Sequence, residues 1–421
     1  MGRYRGDAAD PRPHAASGVA GLATLSGTRI GTGIILSGGG ARAAYQVGAL
    51  RAIARILRPA AAGPFGIICG TSAGAINAAA LAVHADRFRD GVARLVRLWR
   101  NIDVGDVYKA DLSTLSAHGA RWLASVLTGR HGQASAASMF DNRPLRRLLR
   151  RELDAERIAA HIAAGRLRAL AINATSYSTG HAVTFYQGDP AIQAWQRMRR
   201  RGETATIGVD HLLASTAIPF IFPAALVGSD YFADGSVRQI APLSPALHLG
   251  ARRLLVIAVG QFTGQRPSPT RSAARRYPSF AQVAGHALSS IFLDNMGADL
   301  ERLWQINQLA GLIDSERLIE HGMNVAHVDA LVLGPSRDLA ELAVGYGRHL
   351  PAGVRYLLSG LGGTEGTGSN LLSYLLFDRH YCRALMALGH ADAMARRDEI
   401  DAFLGGDSPG FVPVFPAAMF R

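Results

Sequence analysis

A chain of 421 residues, 48% apolar and 18% charged, has material for one large domain or two ordinary ones and is excluded from wholesale disorder. Its net charge of +13 comes almost wholly from arginine, with Lys109 the only lysine, so charge alone does not specify a nucleic-acid partner. Two distant cysteines, Cys69 and Cys382, exclude a disulfide framework and a Cys-rich zinc site and fit a reducing compartment.

Residues 1–28 are rich in Gly, Ala, Ser and Pro without periodicity and are expected to form a mobile tail. Asp7, Asp10, Pro11 and Pro13 stand where the apolar core of a signal peptide would begin, so no cleaved signal is expected. Thr32-Gly33-Ile34-Ile35-Leu36 reads as a short buried strand ending in Gly38-Gly39-Gly40. From Ala41 the pattern turns helical, with Tyr45, Ala49, Ile53 and Leu57 at intervals of four. Residues 64–70 give a second strand, followed by a Gly-flanked turn, an alanine-rich helix from 73 to about 83 and an amphipathic helix over 87–99. Strands are expected at 167–174, 182–186, 231–233, 253–259 and 330–334. Residues 265–278, with three prolines and four arginines among them, read as a basic linker, and 280–313 and 370–404 as helical.

Two uncharged stretches, 64–85 and 212–229, are long enough to cross a bilayer. Glycines and polar Thr71, Ser72 and Asn77 in the first, and Pro219 and Pro223 in the second, favour buried strand–turn–helix segments instead. The alternation of strands and helices predicts an α/β fold with a mostly parallel central sheet between helical layers, plus a helical C-terminal extension. The expected organisation is a tail (1–28), a main α/β domain (29–262), and a basic linker with a mostly helical region packed on that domain (263–421).

Gly70-Thr71-Ser72-Ala73-Gly74 fits G-x-S-x-G between a strand and a helix, the context in which a serine is held on a sharp turn as a nucleophile. Small neighbours two residues to either side are a steric need of that turn, and the helix N-terminus favours negative charge there. Ser37-Gly38-Gly39-Gly40-Ala41-Arg42 also joins a strand to a helix. A dinucleotide fingerprint fails at Ala43, and the Gly-Lys-Ser/Thr ending of a Walker loop is missing. Uncovered amides of Gly38, Gly39 and Gly40 could instead hold the oxyanion of acyl transfer. Arg42 would either add charge for an anionic substrate group or hold the loop through a salt bridge.

The serine needs a base, and none of the 14 histidines stands in a context that marks it out. Asp234-Gly235-Ser236 follows a strand-like Tyr231-Phe232-Ala233, which puts a carboxylate at a strand end, where α/β sheets carry their chemistry. Taken alone it reads as an ordinary Asp-Gly turn.

Together the glycine loop (Gly38 to Arg42), the elbow (Gly70 to Gly74) and the Asp234-Gly235 turn resemble the patatin-like phospholipase family, in that order and spacing. Ala214-Ser215-Thr216-Ala217-Ile218-Pro219 with Phe222-Pro223 resembles the family's segment before the aspartate, and residues 370–404 the C-terminal part of longer bacterial members. Ala43 and Ser236 depart from the family pattern. The resemblance implies a serine–aspartate dyad, Ser72 and Asp234, with Gly38, Gly39 and Gly40 as oxyanion hole and Arg42, Gly70, Gly74 and Gly235 in support. It implies hydrolysis of fatty-acyl esters of phospholipids or other glycerolipids, through an acyl-enzyme and without metal or organic cofactor.

A Ser-His-Asp α/β-hydrolase, with its histidine among His286, His321, His327 and His349, and a non-catalytic lipid-binding module remain the alternatives. The expected partners are a glycerolipid and an anionic membrane surface, not nucleic acid, with the protein cytoplasmic and peripheral at the inner membrane face. The basic face of Arg143, Arg146, Arg147, Arg150 and Arg151, and Trp195 beside Arg197, Arg199, Arg200 and Arg201 as an aromatic anchor, are the expected contacts, with 112–127 as a cover.

Overall fold

The computed structural model describes residues 31–57, 63–109, 138–260, 283, 286, 290, 295–313, 326–360, 369–406 and 411–412. The tail expected over 1–28, the linker at 265–278 and the cover at 112–127 lie outside the described residues.

In chain order, β1 (Thr32–Leu36) leads through a 3-10 turn at Gly40–Ala43 into α1 (Ala44–Ile56). Next come β2 (Ile67–Thr71), α2 (Ala73–Val83), α3 (Phe88–Asn101), α4 (Val104–Val107), α5 (Arg143–Glu152) and α6 (Ala155–Ala163). The middle of the chain supplies β3 (Ala169–Ser176), β4 (Ala182–Gly188), β5 (Trp195–Arg197), β6 (Arg200–Thr204), α7 (Val209–Ser215), β7 (Ala225–Val227) and β8 (Asp230–Asp234). After α8 (Ser244–His248) and β9 (Arg253–Ile257) come α9 (Asn295–Ala310), β10 (Asp329–Leu333), α10 (Leu339–Val344) and α11 (Ala352–Gly360). The last elements are α12 (Ser369–Leu375), α13 (Arg379–Ala395), α14 (Arg397–Gly405) and β11 (Phe411–Val412).

The strands form one mixed sheet in the order β11-β10-β9-β1-β2-β3-β4-β6-β5, with β8 on β3 and β7 on β8. From β11 to β3 every neighbour is parallel. These strands read as continuous apolar runs because both faces are covered. Ile34 and Leu36 point into the larger core with α1 and α2, and Ile35 into the smaller one with α8 and α9. Leu255 and Ile257 alternate with Leu254 and Val256 in the same way.

The C-terminal region does two things. It continues the sheet, since β10 pairs with β9. It also lays α13 on α1 so closely that a Cβ on Gly48 would come within 2.1 Å of the Met386 carbonyl oxygen. The helix expected over 370–404 is three helices: Asp378 caps α13 by accepting from the amides of His380 and Tyr381, which starts a new helix there. The uncharged stretches become β2 with α2, and α7 with β7. No helix of the described residues is long and apolar enough to cross a membrane.

Candidate active site

Ser72 sits between the last residue of β2 and the first of α2 at φ 55° and ψ −130°, a backbone conformation that non-glycine residues rarely adopt. The strain is tolerable because the neighbours are small. A Cβ on Gly70 would lie 2.5 Å from the Gly74 carbonyl oxygen, and one on Gly74 would lie 2.3 Å from that of Leu36. The Ser72 amide donates to the buried Ser215 hydroxyl at the end of α7, 2.8 Å away.

The sheet register brings Asp234 to the serine. β2 ends at Thr71, which lies opposite Asn173 of β3. The next residue of β3, Ala174, pairs with Asp234, because β8 arrives antiparallel on the edge of β3 that β2 has just left. Asp234 thus occupies the ladder position that the residue after Thr71 would have filled, and that residue is Ser72. Gly235 must be small here, since a Cβ would stand 2.2 Å from the Asn173 carbonyl oxygen. Asn173 ties the two strand ends together: its Nδ2 donates to Thr71 Oγ1 at 3.0 Å, and its Oδ1 accepts from Thr184 at 2.7 Å.

Asp234 is fully buried, and burial raises its carboxyl from 3.8 to about 7. The Ser72 hydroxyl and the Ser236 amide and hydroxyl pull it back down. Oδ1 accepts from the Ser236 amide at 2.9 Å, so Ser236 serves the turn well where the family pattern has a smaller residue. Oδ2 has no partner of hydrogen-bond geometry among the described residues. Ser72 therefore lies against the carboxylate without an aligned hydrogen bond, a common state of catalytic pairs before substrate binds.

The glycine loop meets the serine at one cavity, which Gly40 and Ser72 both line. The amides of Gly38, Gly39 and Gly40 are buried and donate to no acceptor among the described residues. Three successive uncommitted buried donors are rare in a folded protein and call for an acceptor. Gly40 has φ +54°, and a Cβ there would lie 2.3 Å from the Tyr374 carbonyl oxygen. Behind the loop runs a buried chain of polar side chains. Gln46 donates to the Ser37 carbonyl at 2.8 Å, Asn77 to Gln46 Oε1 at 3.0 Å, and Trp99 to Asn77 Oδ1 at 2.9 Å. It fixes the loop against α2, which carries the elbow.

Arg42 holds the loop, but by other means than a salt bridge. It is buried and forms no salt bridge among the described residues; it reaches α12 instead, donating to Ser373 Oγ and Asn370 Oδ1 at 2.8 Å each. Its guanidinium also lies 4.2 Å from the centre of the Tyr374 ring.

A narrow apolar cavity opens from Ser72, lined by Ile76, Leu98, Trp99, Ile102, Leu145, Leu148, Ile218, Phe222 and Phe377 among others, with no charged side chain among the described residues. Leu98, Ile102 and Leu148 also line a polar depression that holds Arg94, Arg97, Asn101, Asp106, Arg151 and Glu152. No histidine among the described residues lines the cavity. His349 pairs with Asp378 at 3.1 Å and its other nitrogen faces Arg348, while His327 lies 3.5 Å from Asp329. His286 is exposed, and His321 lies outside the described residues. His211 packs edge-on against Phe185, and His248 stacks on Trp195.

The family model of the patatin-like phospholipases matches residues 34–247, half of the chain. The chain belongs to the patatin-like phospholipase family. No curated protein sequence matches it. Among solved structures it is similar to VipD from Legionella pneumophila, at 11% identity and a TM-score of 0.31, covering 87% of this chain and 67% of that one. The matched segment of this patatin-like chain contains the glycine loop, the elbow and Asp234, and ends before β9. α12, which braces the loop through Arg42 and Tyr374, lies beyond it.

Sequence reasoning missed Asn173, Ser215, Gln46 and Asn77 as parts of the site. The signal was available: each is a polar residue inside an otherwise apolar segment, and such a residue must find a partner when buried.

Proposed function

We propose that this protein is a serine lipid acyl hydrolase of phospholipase A or lysophospholipase type, acting on phospholipids or other glycerolipids. Asp234, as carboxylate, accepts the Ser72 proton while Ser72 Oγ attacks the ester carbonyl carbon. The amides of Gly38, Gly39 and Gly40 hold the oxyanion of the tetrahedral intermediate. Protonated Asp234 returns the proton to the departing alcohol, leaving an acyl-enzyme with its chain in the apolar cavity. Asp234 then takes a proton from water as the water oxygen attacks the acyl carbon, and the second intermediate breaks the bond to Ser72 Oγ, which recovers that proton from Asp234 as the fatty acid leaves. The mechanism calls for neither metal nor organic cofactor.

The observation that carries this reading is the register that lays Asp234 beside Ser72, next to a cavity that no histidine of the described residues lines. The catalytic unit, 29–262, works with the C-terminal region packed on it. The enzyme meets its substrate as a peripheral protein of an anionic membrane surface, at the inner face of the cytoplasmic membrane. Treatment with a fluorophosphonate probe, then product analysis on a phospholipid panel, tests the proposal. Labelling of Ser72 with fatty-acid release supports it, and an unlabelled, inactive folded protein overturns it in favour of a lipid-binding module.

A further inference from the structure

The end of the sheet that carries Ser72 and Asp234 also carries a group of exposed apolar side chains. Leu226 of β7 lies opposite Tyr231 of β8, and the Tyr177 amide, just past β3, donates to the Tyr231 carbonyl at 2.9 Å. Directly opposed residues share a face of a sheet, so Tyr177, Tyr231 and Leu226 make one cross-strand row. All three are about half exposed, at 54%, 55% and 49%.

The β5–β6 hairpin turns at the same end, because Arg200 is level with Ala182 and Ala182 with Thr175. Its tip is Met198, 88% exposed between Arg197 and Arg199, with Arg199 in the left-handed region at φ 57°. A sharp turn thus holds an apolar side chain out between two exposed arginines.

The aromatic anchor expected at Trp195 is absent from this surface. That ring stacks between Tyr186 and His248, at 5.2 and 4.8 Å, and is committed to the fold. α5 is a poor candidate too. Leu145 and Leu148 are spent on the cavity roof, and Arg143, Arg146 and Arg151 pair with Asp141, Asp210 and Glu152.

We propose that the Tyr177–Tyr231–Leu226 row and the Arg197–Met198–Arg199 tip form the surface by which this protein docks on an anionic phospholipid bilayer. The inference rests on the lipid-hydrolase reading, since it places the docking face at the end of the sheet where the acyl ester must arrive. Charge complementarity and side-chain type select the occupant. Arginines flanking an apolar tip hold their charge at headgroup level while the thioether enters the acyl boundary, and tyrosines suit the same depth. A row of projecting tips offers a folded partner no pocket, whereas a fluid bilayer closes around them.

The test uses the full chain as Ser72→Ala, sedimented with phosphatidylcholine vesicles with and without phosphatidylglycerol. Binding is expected only to the mixed vesicles, about tenfold weaker in Met198→Ser/Arg199→Glu and again in Tyr231→Ser. Arg147→Glu/Arg150→Glu on α5 is expected to bind as the parent does. Undiminished binding in both rim variants, equal binding to the two vesicle types, or loss confined to the α5 variant would overturn the proposal. Tighter binding to heparin than to the mixed vesicles would also overturn it, in favour of a soluble polyanion. Turnover of a short water-soluble ester by the intact enzyme reads the dyad separately. Sedimentation without such turnover leaves the docking face standing and removes the hydrolase.

Discussion

The Ser72 amide and the Ser215 hydroxyl meet at 2.8 Å across 143 residues of chain, and that bond holds the most strained residue of the site. An elbow at φ 55° persists only if its surroundings fix it. Here they are the Gly70–Gly74 contact beneath and Ser215 at the side. Ser215→Ala strands a buried amide, which costs about 1–3 kcal/mol of stability. We expect a lower melting temperature and a fall in kcat larger than any change in KM. Full turnover in a folded Ser215→Ala protein would mean that the elbow holds its shape unaided.

Burial of Asp234 ties stability and activity to pH in opposite directions. Below pH 3.8 the carboxyl is neutral in both the folded and the unfolded chain, and burial carries no ionic penalty. As pH rises from 3.8 to about 7 the unfolded chain ionises first, so the folded state loses stability over that window. Above it the full penalty applies, on the order of 4 kcal/mol. Asp234→Asn removes the penalty, so this variant should be more stable than the parent at pH 8, with the gap closing toward pH 4. Activity of the parent runs the other way: kcat/KM should rise with pH through about 7, as the carboxylate able to take the Ser72 proton appears. A denaturant series across pH and a pH–rate profile check the two halves independently.

Much of this was legible in the sequence, for reasons that differ by element. β1, β2 and α2 sit where the apolar runs and glycines place them, because strands buried on both faces carry no competing polar pattern. The identity of Ser72 and Asp234 as candidates was legible as well. Their adjacency was not, since it depends on β8 taking over one edge of β3 where β2 ends, a pairing with no local signature. How Arg42 holds the loop was not legible for a related reason: its partners stand on α12, more than 320 residues away, and are neutral rather than acidic. The β5–β6 hairpin was read as a basic patch because its strands are short, and so Trp195 passed for an anchor.

The dyad should behave as one unit. Ser72→Ala and Asp234→Asn are each expected to remove essentially all hydrolysis in a folded protein, and the double variant should be no worse than either alone. His349→Ala, which breaks the pair with Asp378, should cost stability and leave substantial turnover. A histidine variant with intact folding and activity as low as Ser72→Ala would restore a triad.

Arg42 ties the glycine loop to the C-terminal region, so its loss should be felt in both. Arg42→Ala leaves Ser373, Asn370 and the Tyr374 ring without their shared partner, and we expect a loss of about 2–3 kcal/mol. Arg42→Lys should recover little, since one ammonium cannot reproduce the planar fork that serves all three. Turnover should fall less than in the dyad variants. Limited proteolysis should show earlier cleavage around α12 in both variants, and unchanged protection there would remove the coupling.

The wall between the apolar cavity and the polar depression should set which acyl chains the enzyme accepts. Leu98, Ile102 and Leu148 face both spaces, so a chain that outgrows the cavity must push past them toward Arg97 and Arg151. Each methylene that stays in apolar surroundings adds about 0.8 kcal/mol, close to fourfold in kcat/KM. The gain should stop at the chain length that reaches the wall. Leu98→Ala moves the wall outward and should lengthen the preferred chain, whereas Leu98→Trp should shorten it, both with Ser72 labelling unchanged. A series of nitrophenyl esters of increasing chain length reads the position of that break. An identical break in the parent and both variants would mean that the acyl chain takes another path.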